Sequence, residues 1–504
     1  MGTAFLRHRQ RRQRTQPPPL AAADERRHSL PTRALLRRRR GLALGTRPQP
    51  VPRQRLDPLL DARLQAERTD LRVLMPETPE ADSSRPEVQV PAAHPERAFL
   101  FDVLPRTFAA LRIRDFRLYW FGQLISFIGT WMQNIAANWL ILDLTGSAFF
   151  VGLNSTLTWM PSWILTLPAG LLADRVNKRN IMIVTQSALA FLALLLAVLT
   201  WTGAITVTHM LIIGCISGFV VAVNSPVAMA IIPELVRGRN ILNAVALNSI
   251  MFNSARIIGP SVAGVVLGTL GPGACFGLNS LSFLAIIIPL ALIRLSPPPR
   301  RSDGESAWRR MTSGLGFIRN NADVRTLILL VAVFSSLGIT YLPLLPVYAR
   351  DVFDAGPRGY GLMMAMVGIG AVAGGLTIAT ISRTRHRGRI LLVGSSIFGG
   401  LLVCLSFTRS LGLGLVLLTL IGFCQANITS LSNTLIQTLS PDHIRGRVMS
   451  VFVLAFNGMF PLGSLLAGSL AQRWGAPAAT LVGGAGVLAG IVVAALLRPQ
   501  LRTL

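Results

Sequence analysis

Long apolar runs alternate with short polar turns along most of the chain. From Leu118 onward each run is about 20 residues long, enough for an α-helix to cross a hydrocarbon core of about 30 Å. The predicted spans are 118–142, 148–173, 180–200, 207–232, 241–268, 273–294, 325–349, 358–382, 389–408, 411–438, 447–471 and 476–497. The pattern therefore predicts an all-α membrane protein with twelve transmembrane helices.

A short motif recurs at corresponding places in the two halves of this pattern. PELVRGR, Pro233 to Arg239, follows the fourth span, and PDHIRGR, Pro441 to Arg447, follows the tenth. Arginines that only flank spans would explain the charges but not the matching proline, acid and glycine. The recurrence predicts two pseudo-symmetric six-helix halves. The predicted divisions are 108–295, a cytoplasmic linker over 296–324, a second half over 325–499 and a tail over 500–504.

Residues 1–107 break the pattern, because they are rich in arginine and proline and poor in aromatics. Such a segment cannot bury enough apolar surface to fold alone. One interpretation is a basic arm that attracts anionic lipid. The other places the true start downstream, at Met75 or later, and it is preferred because no apolar face or hydrophobic signal core organises the arginines.

Composition supports the membrane class: 51% of residues are apolar and 14% are charged, against about a quarter charged in soluble proteins. The net charge of +27 comes almost wholly from arginine, which indicates coding bias, so nucleic acid is not a predicted partner. The four cysteines lie in apolar runs without CxxC spacing. No disulfide, metal site or cofactor is predicted.

Positive charge is distributed unequally between the two sets of turns. Turns after even-numbered spans read DRVNKRN, VRGRN, SRTRHRGR and IRGR, whereas LDLTGS, WTGAITVTH and GTLGPG have no Lys or Arg. The remaining turns after odd-numbered spans have only Arg350, Arg358, Arg409 and Arg473. Because cytoplasmic loops hold the excess of Lys and Arg, both termini are predicted to be cytoplasmic in a multi-pass protein of the cell membrane. An even number of spans requires the same arrangement.

The turn after the second span, GLLADRVNKR, resembles the loop signature of the Major Facilitator Superfamily. The matching residues are Gly170, Leu172, Asp174, Arg175, Lys178 and Arg179. Asn177 stands where the family usually has glycine; asparagine tolerates a left-handed conformation, so the turn is expected to be kept. With the arginines of the repeated motif, Arg237, Arg239, Arg445 and Arg447, this turn forms a predicted gating loop.

A second resemblance lies in the fifth span, where ARIIGPSVAG is similar to an element associated with exporters of this superfamily. Gly259, Pro260 and Gly264 match, and Ala255 replaces the first glycine. With LDLTGSAFFVGL, the chain resembles the enterobactin-exporter-like and macrolide-efflux-like branch from about Phe108 to Pro499. The resemblance implies a monomeric rocker-switch transporter whose cavity is lined by spans 1, 4, 7 and 10.

Polar residues recur at helical spacing in two of those four spans. In the first span they are Gln123, Ser126, Thr130, Asn134 and Asn138, and in the tenth Gln425, Thr429, Asn433 and Gln437. Because unpaired polar groups are costly in lipid, these faces are predicted to line a wet cavity. Hydrogen bonding between helices is the alternative.

Two charged residues are candidates for coupling transport to protons. Arg256 falls near the middle of the fifth span, where a guanidinium is expensive unless paired or hydrated. Asp143 lies near the outer end of the first span. The hypothesis is that Asp143 titrates, while Arg256 holds an anionic substrate group or tunes the proton site; alternatively, Asp143 caps a helix end beside Thr145 and Ser147. The fourth-span arginine of many drug antiporters is absent.

Asp174 has several possible partners. The resemblance implies that it faces the start of the eleventh helix, whose amino-terminal dipole would favour a carboxylate by about 0.3–1 kcal/mol. Arg237 and Arg239 are rival partners.

The prediction for function is export of a small organic molecule, a drug or siderophore-like metabolite, by proton antiport. Membrane lipids and protons are the other predicted partners. No GxxxxGK[ST] or HExxH motif occurs, so no enzyme activity is predicted. An importer or lipid flippase on the same fold, and a non-transporting membrane sensor, are the alternatives.

Overall fold

The computed structural model describes residues 108–165, 176–238, 240–293, 315–381 and 386–502. These residues fall in one unit, Ala92–Leu504, and within them the regular structure is helical, with no strand. The predicted arm, 1–107, lies outside the described residues.

The described residues of the first half form a series of main helices. They are α1 (Arg114–Thr145), α2 (Ala148–Trp159), α3 (Lys178–Trp201), α4 (Val207–Ala230), and α5 and α6, which share the segment Ile241–Leu292. A straight helix of this segment's 52 residues would be about 78 Å long, more than twice a bilayer core. α5 and α6 therefore meet at Gly271, whose φ of 79° and ψ of 179° suit glycine.

The second half repeats this arrangement. Its helices are α7 (Ala322–Val352), α8 (Gly356–Ile381), α9 (Arg387–Phe407), α10 (Leu411–Leu439), and α11 and α12, which share the segment Asp442–Leu497. The last two meet at Gly475, with φ 83° and ψ 158°. A glycine bend thus separates the fifth from the sixth helix in each half, in agreement with the predicted repeat.

Eight helical segments of the described residues are long and apolar enough to cross a membrane, and two of them are the bent pairs. The helices follow the predicted runs in order. Because the end of the second run lies outside the described residues, the count of twelve stays a prediction. α7 begins inside the predicted linker, and Leu501, in the predicted tail, is only 1% exposed.

The seventh helix is irregular over its second part. After Val333 it passes through a π turn, a 3₁₀ stretch containing Pro343, a short α turn and a second π turn. Proline removes a backbone donor and disrupts the α pattern. Most side chains from Phe334 to Ala349 are buried, and burial in protein is what makes irregular backbone tolerable at membrane depth.

Two helix pairs join the halves. In the α2–α11 pair, Thr156 donates a hydrogen bond to the carbonyl of Pro461 at 2.8 Å. In the α5–α8 pair, Gly361 lies so close that a methyl group placed on it would be 2.5 Å from the Cα of Gly264. Small residues allow such close approach of transmembrane backbones.

Candidate functional site

Polar and aromatic contacts link the halves at the outer end, the end formed by the turns after odd-numbered helices. Arg350 of α7 donates to the carbonyl of Leu142 of α1 at 2.8 Å, and Ser147 donates to Gln472 at 2.7 Å. Trp139 stacks on Tyr360 with ring centroids 6.4 Å apart. The outer ends of the halves are therefore held together in this structure.

A cavity lies beside these outer contacts. Its volume is about 360 Å³, and residues from both halves line it, among them Gly146, Asp351, Arg409, Gln472 and Pro477. Asp351 also pairs with Arg350 at 2.6 Å, so this cavity is contiguous with the contact that joins α7 to α1.

The predicted gating loop is described only in part. Gly170, Asp174, Arg175 and Arg239 lie outside the described residues. Lys178 is buried, with 8% exposure, and pairs with Glu234 at 2.5 Å. Arg179 donates to the carbonyls of Leu290 and Ala291 at 2.6 and 2.5 Å, which satisfies the orphan carbonyls at the end of α6. Both bases therefore stabilise the first half itself.

The expectation that Asn177 takes a left-handed backbone conformation was wrong. Its φ of −62° and ψ of 110° are extended, not left-handed. The physical reason is that Asn177 is the N-cap of α3: its side-chain oxygen accepts the backbone N–H of Arg179 at 3.0 Å. An N-cap residue takes extended angles while its side chain serves a free helix donor.

Two arginines of the repeated motif, Arg237 and Arg445, lie beside acids of their own halves. Arg237 is 3.6 Å from Asp115 and 80% exposed at the side chain. Arg445 pairs with Asp442 at 2.5 Å and donates to the carbonyl of Gln437 at 3.0 Å. Arg447 lies in the first turns of α11.

The residues of the exporter-type element lie where α5 packs against two other helices, α1 and α8. A methyl group on Gly259 would lie 2.4 Å from the Cβ of Trp131 in α1. On the opposite side, the carbonyl of Pro260 would be 2.6 Å from a methyl group placed on Gly361 of α8, and Gly264 faces the same residue. The element thus joins α5 to α1 in its own half and to α8 in the other.

The polar face of α1 changes character along its length. Gln123 and Ser126 are buried, at 2% and 1% exposure, and Thr130 donates to the carbonyl of Ser126 at 2.9 Å. Asn134 is exposed. Asn138 accepts a hydrogen bond from Asn154 of α2 at 3.2 Å, so interhelical hydrogen bonding holds at that position.

The corresponding face of α10 includes a contact to α7. Gln425 accepts a hydrogen bond from the hydroxyl of Tyr341 at 2.9 Å, and both side chains are buried. Thr429 donates to the carbonyl of Gln425 at 2.9 Å, and Gln437 donates to Asn433 at 2.7 Å.

The two charged candidates lie in different surroundings. Arg256 is half-buried on α5 and lies near Tyr341 of the other half, and no carboxylate of the described residues pairs with it. Asp143 is exposed. The nearby helix end is capped by Gly146, with φ 62°, and by the Thr145 hydroxyl, which donates to the carbonyl of Ile141 at 2.6 Å.

Sequence reasoning missed several residues of these contacts, Tyr341 and Glu234 among them. Tyr341 had a weak signal, as one of four tyrosines in the chain, set in the proline-interrupted run ITYLPLLP. Glu234 is the acid of the first repeated motif, but its pairing with Lys178 depends on how α3 and α4 pack, which spacing alone does not give.

Comparison with known proteins agrees with the arrangement of these helices. The family model described as "Transmembrane secretion effector" matches residues 105–503. Solved structures with the same fold include the nucleoside transporter NupG, with a TM-score of 0.64 at 13% identity over 76% of this chain and 99% of that one. A D-xylose-proton symporter has a TM-score of 0.60 at 15% identity, covering 75% and 96%.

Curated relatives match over nearly their whole lengths. The staphyloferrin A transporter of Staphylococcus aureus is 25% identical over 71% of this chain and 90% of its own length. The multidrug efflux pump Tap of Mycolicibacterium fortuitum is 28% identical over 76% and 95%. The enterobactin exporter EntS of Citrobacter koseri is 25% identical over 76% and 91%.

These proteins are membrane transporters and not enzymes, and the family match extends from before α1 to beyond α12. The chain belongs to the transmembrane secretion effector family of the Major Facilitator Superfamily and is a multi-pass membrane transporter.

Proposed function

We propose that this transporter exports a small organic molecule from the cytoplasm across the cell membrane while protons move inward. Its substrate is a drug or a siderophore-like metabolite. Support comes from relatives that are named as an exporter and an efflux pump and that match over at least nine-tenths of their lengths.

One observation carries the proposal: an arginine in the middle of the helix bundle that pairs with no carboxylate of the described residues. Arg256 lies where α5 packs against α8 and is near Tyr341 of the second half, so it is positioned between the halves. A guanidinium at membrane depth marks a substrate or ion pathway by default, because its desolvation is costly. Transporters with internal repeats bind substrate near this level, between the repeats.

Proton coupling is assigned to Asp143, whose exposed carboxylate lies at the outer end of α1. Protons would bind there when the outer side is open. Arg256 would hold an anionic group of the bound substrate or tune the proton site. Asp174 would hold the cytoplasmic side closed against the start of α11 or against an arginine of the repeated motif. Both termini are cytoplasmic in this proposal, which the distribution of arginine among the turns supports. The proposed working unit is a monomer.

Everted membrane vesicles test the direction of transport, since their outer surface is the cytoplasmic face. Vesicles with and without the chain would be energised by respiration and offered iron-free enterobactin, staphyloferrin A and a macrolide antibiotic. Export predicts accumulation of at least one compound and its release by a protonophore. Accumulation only in right-side-out vesicles would instead identify an importer.

A further inference from the structure

Arg256 lies at the centre of the bundle and at the contact between the halves. It is midway between Ile241 and the bend at Gly271. A methyl group placed on Gly368 of α8 would lie 3.1 Å from the carbonyl of Arg256, so the two backbones are in close contact. The side chain is half-buried and lies near Tyr341 of α7.

Tyr341 and Gln425 extend this polar group into the second half. The tyrosine hydroxyl donates to the Gln425 oxygen at 2.9 Å, and the two side chains are 2% and 7% exposed. With its oxygen occupied, Gln425 still has its amide N–H groups, which make no hydrogen bond to the described residues. Together with the guanidinium, the group has more hydrogen-bond donors than acceptors.

The described part of the chain offers no anion to balance Arg256. Its acids all lie at or near helix ends; they are Asp115, Asp143, Glu234, Asp323, Asp351, Asp354 and Asp442. None lies at the level of Arg256, and the ion pairs among them join other bases. The positive charge is therefore left for a molecule that enters the bundle.

We infer that Arg256, Tyr341 and Gln425 bind a carboxylate or similar anionic group, and that the transported molecules are organic anions. The inference rests on the proposed function and specifies its substrate class. A guanidinium presents paired donors in a planar fork that matches a carboxylate, and charge-assisted hydrogen bonds of this kind are about twice as strong as neutral ones. Because the three residues come from both halves, a bound anion would also connect the halves.

The test compares an anionic and a cationic probe of similar aromatic character, carboxyfluorescein and ethidium. Binding to the purified full-length chain in detergent would be measured by fluorescence anisotropy, and transport in everted vesicles. We expect Arg256→Gln to weaken carboxyfluorescein binding about 10- to 100-fold, as for loss of a charge-assisted hydrogen bond, and to spare ethidium. Arg473→Gln is the matched control, because it removes the same charge from an exposed position of the outer turn before α12.

Two further variants separate recognition from folding. Arg256→Lys keeps the charge but not the fork and should lose only part of the affinity. Tyr341→Phe keeps the ring but frees Gln425, and it should weaken carboxyfluorescein binding several-fold without affecting ethidium; it decides the question if Arg256→Gln aggregates in gel filtration.

Several results would overturn the inference. These are unchanged carboxyfluorescein affinity in folded Arg256→Gln, an equal loss of both probes, or a parent protein that binds ethidium but not carboxyfluorescein. Inorganic phosphate that displaces carboxyfluorescein at low concentration would likewise contradict selection for organic anions. If neither probe accumulates in vesicles, the proposal that the chain exports these probes is contradicted. The anisotropy titration tests the binding site independently of that result.

Discussion

At the scale of single residues, several bases in the described turns after even-numbered helices are bound within their own half. Lys178 pairs with Glu234. Arg179 and Arg445 donate hydrogen bonds to backbone carbonyls at the ends of α6 and α10. Such bases stabilise local structure as well as setting topology. Arg256 differs, because its surroundings supply donors and an aromatic ring but no carboxylate within the described residues.

Breaking the Lys178–Glu234 pair should destabilise the first half. Glu234→Gln leaves a lysine that is 8% exposed without its counter-ion, and we expect a loss of about 1.5–3 kcal/mol in unfolding free energy. A thermal melt of the detergent-solubilised protein measures this. A cycle with Lys178→Gln checks the assignment, because the double variant should lose less than the two single losses combined. Additive losses would show that the pair does not interact.

Replacing Asp143 by asparagine should uncouple transport from the pH gradient. The variant cannot release or take up a proton, so substrate accumulation in everted vesicles should fall to the level reached without a gradient, while substrate affinity is kept. Asp354→Asn is the control: this exposed outer-turn acid has a φ of 48°, which asparagine tolerates well. Accumulation at the parent level in Asp143→Asn would remove the coupling role.

At the scale of the helices, sequence periodicity predicted the order of the elements well, because each is an apolar run bounded by polar turns. Periodicity could not predict the irregular backbone of α7, although the sequence shows Pro343 and Pro346 there. A helix with broken backbone hydrogen bonds is tolerated in a membrane only where neighbouring helices bury it, and a single-chain pattern does not show that burial. Tyr341, which lies in that stretch, was missed for the same reason. Polar spacing found Gln425, and a charge at membrane depth found Arg256, but neither signal found the nearby Tyr341.

The contact between α5 and α8 should be sensitive to one methyl group. In Gly361→Ala the new atom would meet the Gly264 Cα at 2.5 Å and the Pro260 carbonyl at 2.6 Å, so the helices must separate. We expect about 1–3 kcal/mol of destabilisation, as for an overpacked core, together with slower transport. Melting and vesicle uptake measure the two effects.

The same helix supplies a control for this prediction. Gly375 also lies in α8, but a methyl group there would meet nothing within 4 Å. Gly375→Ala should therefore keep transport and gain about 0.5–1 kcal/mol from the better helix propensity of alanine. Equal behaviour of the two variants would mean that close packing at Gly361 does not matter.

At the scale of the whole molecule, contacts between the two halves hold their outer ends together. Arg350→Gln removes the charged donor to Leu142, so the outer-open state should become more populated. Spin labels at Thr202, in the outer turn after α3, and at Gly412, in the first turn of α10, would report this as longer distances in pulsed electron resonance after the native cysteines are replaced. An unchanged distance distribution would show that this contact does not hold the outer side closed.

The central claim, outward transport of a small organic molecule against proton entry, is tested most directly in liposomes with the purified full-length chain. An acidic lumen would be imposed, and uptake of an organic anion and luminal pH would be followed together. Antiport predicts that the anion accumulates while the lumen becomes alkaline, and that both changes vanish in liposomes without the chain. Accumulation only when the outside is acidic, or uptake with no proton movement, would contradict the claim.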